Sequence, residues 1–88
     1  MMNAPPGFEI RAVTIGPRGE RAYDDAEWRD ALVFVERGEV ELEWLSGASC
    51  CVVRGDVLWL KGLPLRRLRN RRLEPAHLIA VSRHQTGP

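Results

Sequence analysis

The sequence predicts an all-β fold, a small antiparallel β-barrel or jelly roll. Three observations carry this expectation. Short runs rich in Val, Leu, Ile and aromatic residues recur along the chain, separated by Gly, Pro, Asn and Asp every several residues. The segment Glu39 to Leu45 alternates cleanly, with Glu39, Glu41 and Glu43 set against Val40, Leu42 and Trp44. One face of that strand is wet and the other buried. Finally, 88 residues with 44% hydrophobic content supply one core and leave little for a second.

Taken in order, residues 1–7 read as a loose arm rich in Pro and small residues, 8–84 as one domain, and 85–88 as a tail. Phe8 to Ile15 alternates as a strand with Phe8, Ile10 and Ala12 on one face. Gly16-Pro17-Arg18-Gly19 is a turn, Glu20 to Tyr23 a short strand, and Asp24 to Arg29 a polar loop ending near Trp28. The start Asp24-Asp25-Ala26-Glu27 is compatible with a helix running to Phe34. The run Leu32-Val33-Phe34-Val35, closing on Arg37-Gly38, favours a strand instead. After Glu39 to Leu45 come strands over Ser49 to Arg54, Asp56 to Lys61, Leu65 to Asn70 and Ala76 to Arg83.

Two of these strands, Ala31 to Val35 and Val57 to Leu60, are apolar on both faces. One face fills the barrel and the other needs cover, so the expectation is a homodimer through β-sheet packing.

Formal net charge is only +1, which gives the whole molecule no electrostatic reason to seek nucleic acid or an anionic membrane. The charge is nevertheless segregated. Glu20 to Glu43 holds nine acids and three arginines, whereas Arg54 to Arg72 holds seven bases and one acid. Such blocks suit cross-strand pairing within one domain. The cluster Arg66-Arg67-Arg69-Arg71-Arg72 lacks the interleaved aromatic platform of a single-strand binder, so no nucleic-acid partner is expected. Cys50 and Cys51 are adjacent and fall on opposite faces of a strand; they read as reduced packing residues. The opening MMNAPPG has no apolar leader core and no run reaches membrane-spanning length, so a soluble cytoplasmic protein is expected.

The stretch from Gly55 to Asn70 resembles the second conserved motif of the cupin family: Gly, five residues, Pro-x-Gly, two residues, His, three residues, Asn. Gly55 and Asn70 fit in identity; Lys61 falls at the Pro, Leu63 at the second Gly and Arg66 at the His, with no insertion. The first cupin motif can be laid on the stretch ending at Gly38, which places Ala31 at its Glu and either Asp24 and Ala26 or Asp25 and Glu27 at its two His. The resemblance covers about Arg18 to Ser82 and implies a cupin-like barrel. In metal-bearing cupins, three His and one Glu hold a divalent ion. None of those four side chains is present here, Ala31 has no donor atom, and a guanidinium has no lone pair to give. No metal and no cofactor are therefore expected.

If the motif register holds, Arg66 enters the barrel on the face of Leu68 and Asn70. A buried guanidinium needs a partner. That partner is either Asp24, Asp25 or Glu27 at the barrel mouth, or the carboxylate or phosphate of a small anionic organic ligand. Tyr23, Trp28, Trp44 and Trp59 are then candidate pocket walls. The favoured expectation is a metal-free binding or assembly module with Arg66 and Asn70 in its pocket. The alternatives are an isomerase, epimerase or cyclase of cupin type, drawing acid–base groups from Tyr23, Asp24, Asp25, Glu27 or His77, and a purely structural homodimer.

Overall fold

A computed structural model describes residues 7–28 and 30–83. The expected arm up to residue 6, His84 and the tail lie outside the described residues. Eight strands and one helical turn follow one another as β1 (Phe8–Ile15), β2 (Glu20–Ala22), α1 (Asp25–Trp28), β3 (Ala31–Arg37), β4 (Glu39–Trp44), β5 (Ser49–Val53), β6 (Val57–Trp59), β7 (Leu65–Arg69) and β8 (Ala76–Arg83). They form two four-stranded antiparallel sheets with orders β1-β8-β3-β6 and β2-β7-β4-β5. This is the strand order of a jelly roll.

The core lies between the sheets and follows the period of two. From the first sheet come Val13, Ile15, Ala31, Val33, Val35, Ala76, Leu78 and Ala80; from the second, Val40, Leu42, Val52, Leu65 and Leu68. Asn70 is the one buried polar residue among those described. The segment Asp24 to Arg29, expected as loop, contains the single turn α1. Asp24 starts it, its Oδ1 accepting from the Ala26 N–H at 3.1 Å and its carbonyl from the Glu27 N–H at 3.0 Å. The turn delivers Trp28 to the core, fully buried, with the Arg11 guanidinium 5.1 Å from its ring centroid. One helical turn is too short for periodicity to detect.

The two outer faces differ sharply in chemistry. On the second sheet the segregated charges meet as cross-strand neighbours. Glu20 and Glu41 flank Arg69, and Glu43 sits opposite Arg67. Arg67 lies 3.1 Å from Glu20 and 3.2 Å from Glu43; Arg71 lies 3.1 Å from Glu41, and Arg72 3.1 Å from Glu39. On the first sheet, two complete rows of outward residues carry no charge, and their one polar atom is the Trp59 indole nitrogen. Ile10, Val81, Leu32 and Trp59 form one row, and Ala12, Ile79, Phe34 and Val57 the other. Leu32 is 43% exposed, Val57 55% and Trp59 50%. Both cysteines are exposed on edge strand β5 rather than packed, because β5 has a neighbour on one side only.

Between β3 and β4 the chain turns at Gly38, whose φ is +80°. A Cβ there would meet the Pro75 carbonyl oxygen at 3.0 Å and the Ala76 Cα at 3.1 Å. Gly38→Ala should therefore cost about 1–3 kcal/mol in a urea titration, since both the left-handed backbone and the close approach to β8 oppose a side chain. A loss below the error of the titration would show that neither constraint matters.

Candidate functional site

Arg66 does not enter the sandwich. Along β7 and β4 the register steps from Arg67 opposite Glu43 to Leu65 opposite Trp44, so Arg66 is the extra residue of a bulge. The bulge lets Leu65 and Leu68 both face the core and turns Arg66 to solvent, where its Nη2 donates to the Leu45 carbonyl at 3.3 Å. The expected partners are engaged elsewhere. Glu27 receives the guanidiniums of Arg11 and Arg21, Asp24 caps α1, and Asp25 Oδ1 accepts from the Gly62 N–H at 2.9 Å. Proximity to Glu27 also holds the Arg21 guanidinium above its usual pKa.

Asn70 is buried as expected, but its side chain is committed to the protein. Nδ2 faces the carbonyls of Ile15 and Gly16 at 3.1 Å each and that of Glu74 at 2.7 Å, while Oδ1 accepts from the Arg72 N–H at 2.9 Å. Its backbone N–H donates to the Gly19 carbonyl at 2.8 Å. The residue clamps the β1–β2 turn to the β7–β8 loop.

Tyr23 packs half-buried against the core, its Oη 2.6 Å from the Leu60 carbonyl and 2.9 Å from Asp25 Oδ1. Burial, then the hydrogen bond to Asp25 and the charges of Asp25 and Asp24, push its pKa up to about 12. Trp44 is half-buried against the core and Trp28 wholly inside it, whereas Trp59 faces outward on the apolar rows. His77 sits on the outer face of β8 with Nδ1 3.2 Å from Thr14 Oγ1. The four expected aromatic walls thus do not surround one pocket, and Glu27 and His77 line different cavities.

The donor set does not fit a divalent ion at the cupin position. Ala31 is buried without a donor, Arg66 is outside, and Asp25 is held by Tyr23 and Gly62. Among the described residues no three His, Cys, Asp or Glu side chains group as metal ligands.

Two features went unmarked in the sequence. One is the contribution of β1 and β8 to the apolar outer face; Phe8, Ile10 and Ala12 share a face as expected, but it is the outer one. The other is a cavity of about 510 Å³ lined by Glu36, Arg37, Arg54 and His77. It depends on a bulge at Glu36 that alternation alone does not reveal.

No family model matches the chain, and no curated protein matches it. Solved structures do. The Cupin_2 domain of an XRE family transcriptional regulator from Enterobacter cloacae superposes with a TM-score of 0.68 at 17% identity, over 91% of this chain and 84% of that one. A protein from Neisseria meningitidis superposes with a TM-score of 0.63, also at 17% identity, over 92% of this chain and 78% of that one. The chain has a cupin-like fold.

Two outcomes test these assignments. Asn70→Ala leaves buried carbonyls without a donor and should cost about 3 kcal/mol, read as a lower urea midpoint at unchanged slope. An unchanged midpoint would show the clamp to be dispensable. The chain has a single tyrosine, so phenolate absorbance reports Tyr23 alone. It should titrate near 12 in the folded protein and near its ordinary 10.0 in denaturant. Because the folded value is raised, the stability this phenol contributes is present below pH 10 and lost as pH climbs toward 12. A folded midpoint at the ordinary value would contradict the buried hydrogen-bonded geometry.

Proposed function

We propose that this cupin-like domain is an assembly module that works as a homodimer, not as a catalyst. The observation that carries the reading is the apolar outer face of the first sheet, two rows deep and four strands wide. At ordinary strand spacing, two same-face rows across four strands cover about 19 by 13 Å, on the order of 250 Å² in projection. That is near the lower end of the roughly 300–600 Å² apolar patch of a typical monomer.

A second copy is the partner this face suits best. Its central rows offer no charged side chain, and only the Trp59 indole N–H as a hydrogen-bond donor, with which to select a different molecule. A two-fold contact matches a patch with itself and needs no such complement. The gain is also largest where the chain is smallest, since a domain of this length buries only roughly 60% of its unfolded surface by itself.

The interior supports assembly over chemistry. Arg66 and Asn70 are both spent on structure, and a phenol held near 12 is a poor acid or base at neutral pH.

Sedimentation equilibrium tests the reading. The protein should be a dimer at micromolar concentration. Phe34→Asp, at a position pointing away from the core, should weaken association by two orders of magnitude or more, because it buries an unpaired carboxylate. Glu43→Gln on the charged sheet should leave association unchanged. A wild-type monomer, or a Phe34→Asp variant that still dimerises, would overturn the proposal.

A further inference from the structure

We propose that the cavity lined by Glu36, Arg37, Arg54 and His77 is a binding site for a small oxyanion, a carboxylate or a phosphate, on the outside of the sandwich. The site is separate from the barrel interior and stands whether or not the apolar rows are covered. It lies one row beyond them, because Thr14 and His77 follow Ala12 and Ile79 on the same face.

Three pieces of backbone build it. On β3 the register steps from Val35 opposite Leu78 to Arg37 opposite His77, so Glu36 is an extra residue and the bulge re-aims Arg37. The β5–β6 turn is tied to the same point of β3. The Gly55 N–H donates to the Val35 carbonyl and the Val35 N–H to the Asp56 carbonyl, each at 3.0 Å. Asp56 Oδ2 closes the turn by accepting from the Val53 N–H at 2.8 Å. Arg54 is thereby presented beside the bulge from a braced turn. On β8, the contact between Thr14 Oγ1 and His77 Nδ1 sets the imidazole ring and leaves its Nε2 edge unengaged by that bond.

The charges around this cavity are not neutralised by one another. Arg11, Arg21, Arg67, Arg69, Arg71 and Arg72 each reach a glutamate. Arg37 and Arg54 make no ion pair among the described residues, and neither does Glu36. Among the lining residues, two guanidiniums face one carboxylate, an excess of positive charge. Guanidiniums present forked donors that match two oxygens of one group, which favours a carboxylate or phosphate over a halide. The volume of about 510 Å³ falls within the roughly 300–1,000 Å³ of small-molecule sites.

The experiment is an NMR titration of the full chain, following the His77 imidazole and arginine side-chain signals. Sodium phosphate and sodium malonate are the probes, with sodium chloride at matched ionic strength as the reference. Saturable shifts confined to Glu36, Arg37, Arg54, His77 and Thr14 are expected. Response to phosphate alone assigns the site to phosphate groups, and response to malonate alone assigns it to carboxylates. Arg37→Ala and Arg54→Ala should each weaken binding about tenfold or more, as expected for loss of a charge-assisted hydrogen bond. Both are exposed positions, and the rest of the spectrum reports whether the fold is kept. Glu36→Gln should tighten binding severalfold by removing a like charge. Arg83→Ala, at the other end of the same sheet, should change nothing. Shifts no larger than those with chloride, indifference to Arg54→Ala, or weaker binding in Glu36→Gln would each overturn the assignment.

Discussion

Two sheets enclose one core, and every strand of the sandwich therefore has a second face that must be solvated or covered. Among the described residues no further element serves as a covering layer: the helical turn α1 is spent on delivering Trp28 to the interior. The chemistry of the two outer faces follows from this constraint. The second sheet meets water with a lattice of glutamates and arginines, and the first presents side chains that water does not favour. That asymmetry sets the functional reading, because a charged face is complete in solvent and an apolar one is not.

Within the sandwich, bulges decide which arginine faces which medium. At Arg66 one extra residue turns a guanidinium out of the core while letting Leu65 and Leu68 both point in. At Glu36 an extra residue at the rim of the other sheet brings Arg37 across from His77. Between these points, Asn70 holds the β1–β2 turn to the β7–β8 loop and satisfies backbone groups of both with its side chain. A residue that matches a family motif in position can therefore serve the scaffold while its motif neighbours have lost the chemistry.

Much of the fold was legible in the residues. The strict alternation of Glu39 to Trp44, the breaks at Gly38 and Gly47, and the opposed charge blocks all describe antiparallel strands, and the strands lie where those signals put them. The identity of the outward faces was half legible. Leu32 and Phe34 announce themselves because their strand is apolar on both sides, but Ile10 and Ile79 look like ordinary core residues until the pairing shows which way each face points. The candidate site was least legible. The motif register, with Arg66 on the face of Leu68 and Asn70, sends Arg66 inward, and one bulged residue reverses that result. The rim cavity gathers residues from β3, a turn and β8, whose convergence depends on register and not on spacing.

The most direct test of the central claim is an isotope-filtered NOE experiment on an equimolar mixture of labelled and unlabelled protein, which detects only contacts between copies. A dimer formed through the apolar face gives intermolecular contacts among Leu32, Phe34, Trp59, Ile79 and Val81, and none from Glu41, Glu43, Arg67 or Arg69. Intermolecular contacts confined to the charged sheet, or no contacts at millimolar concentration, would contradict it.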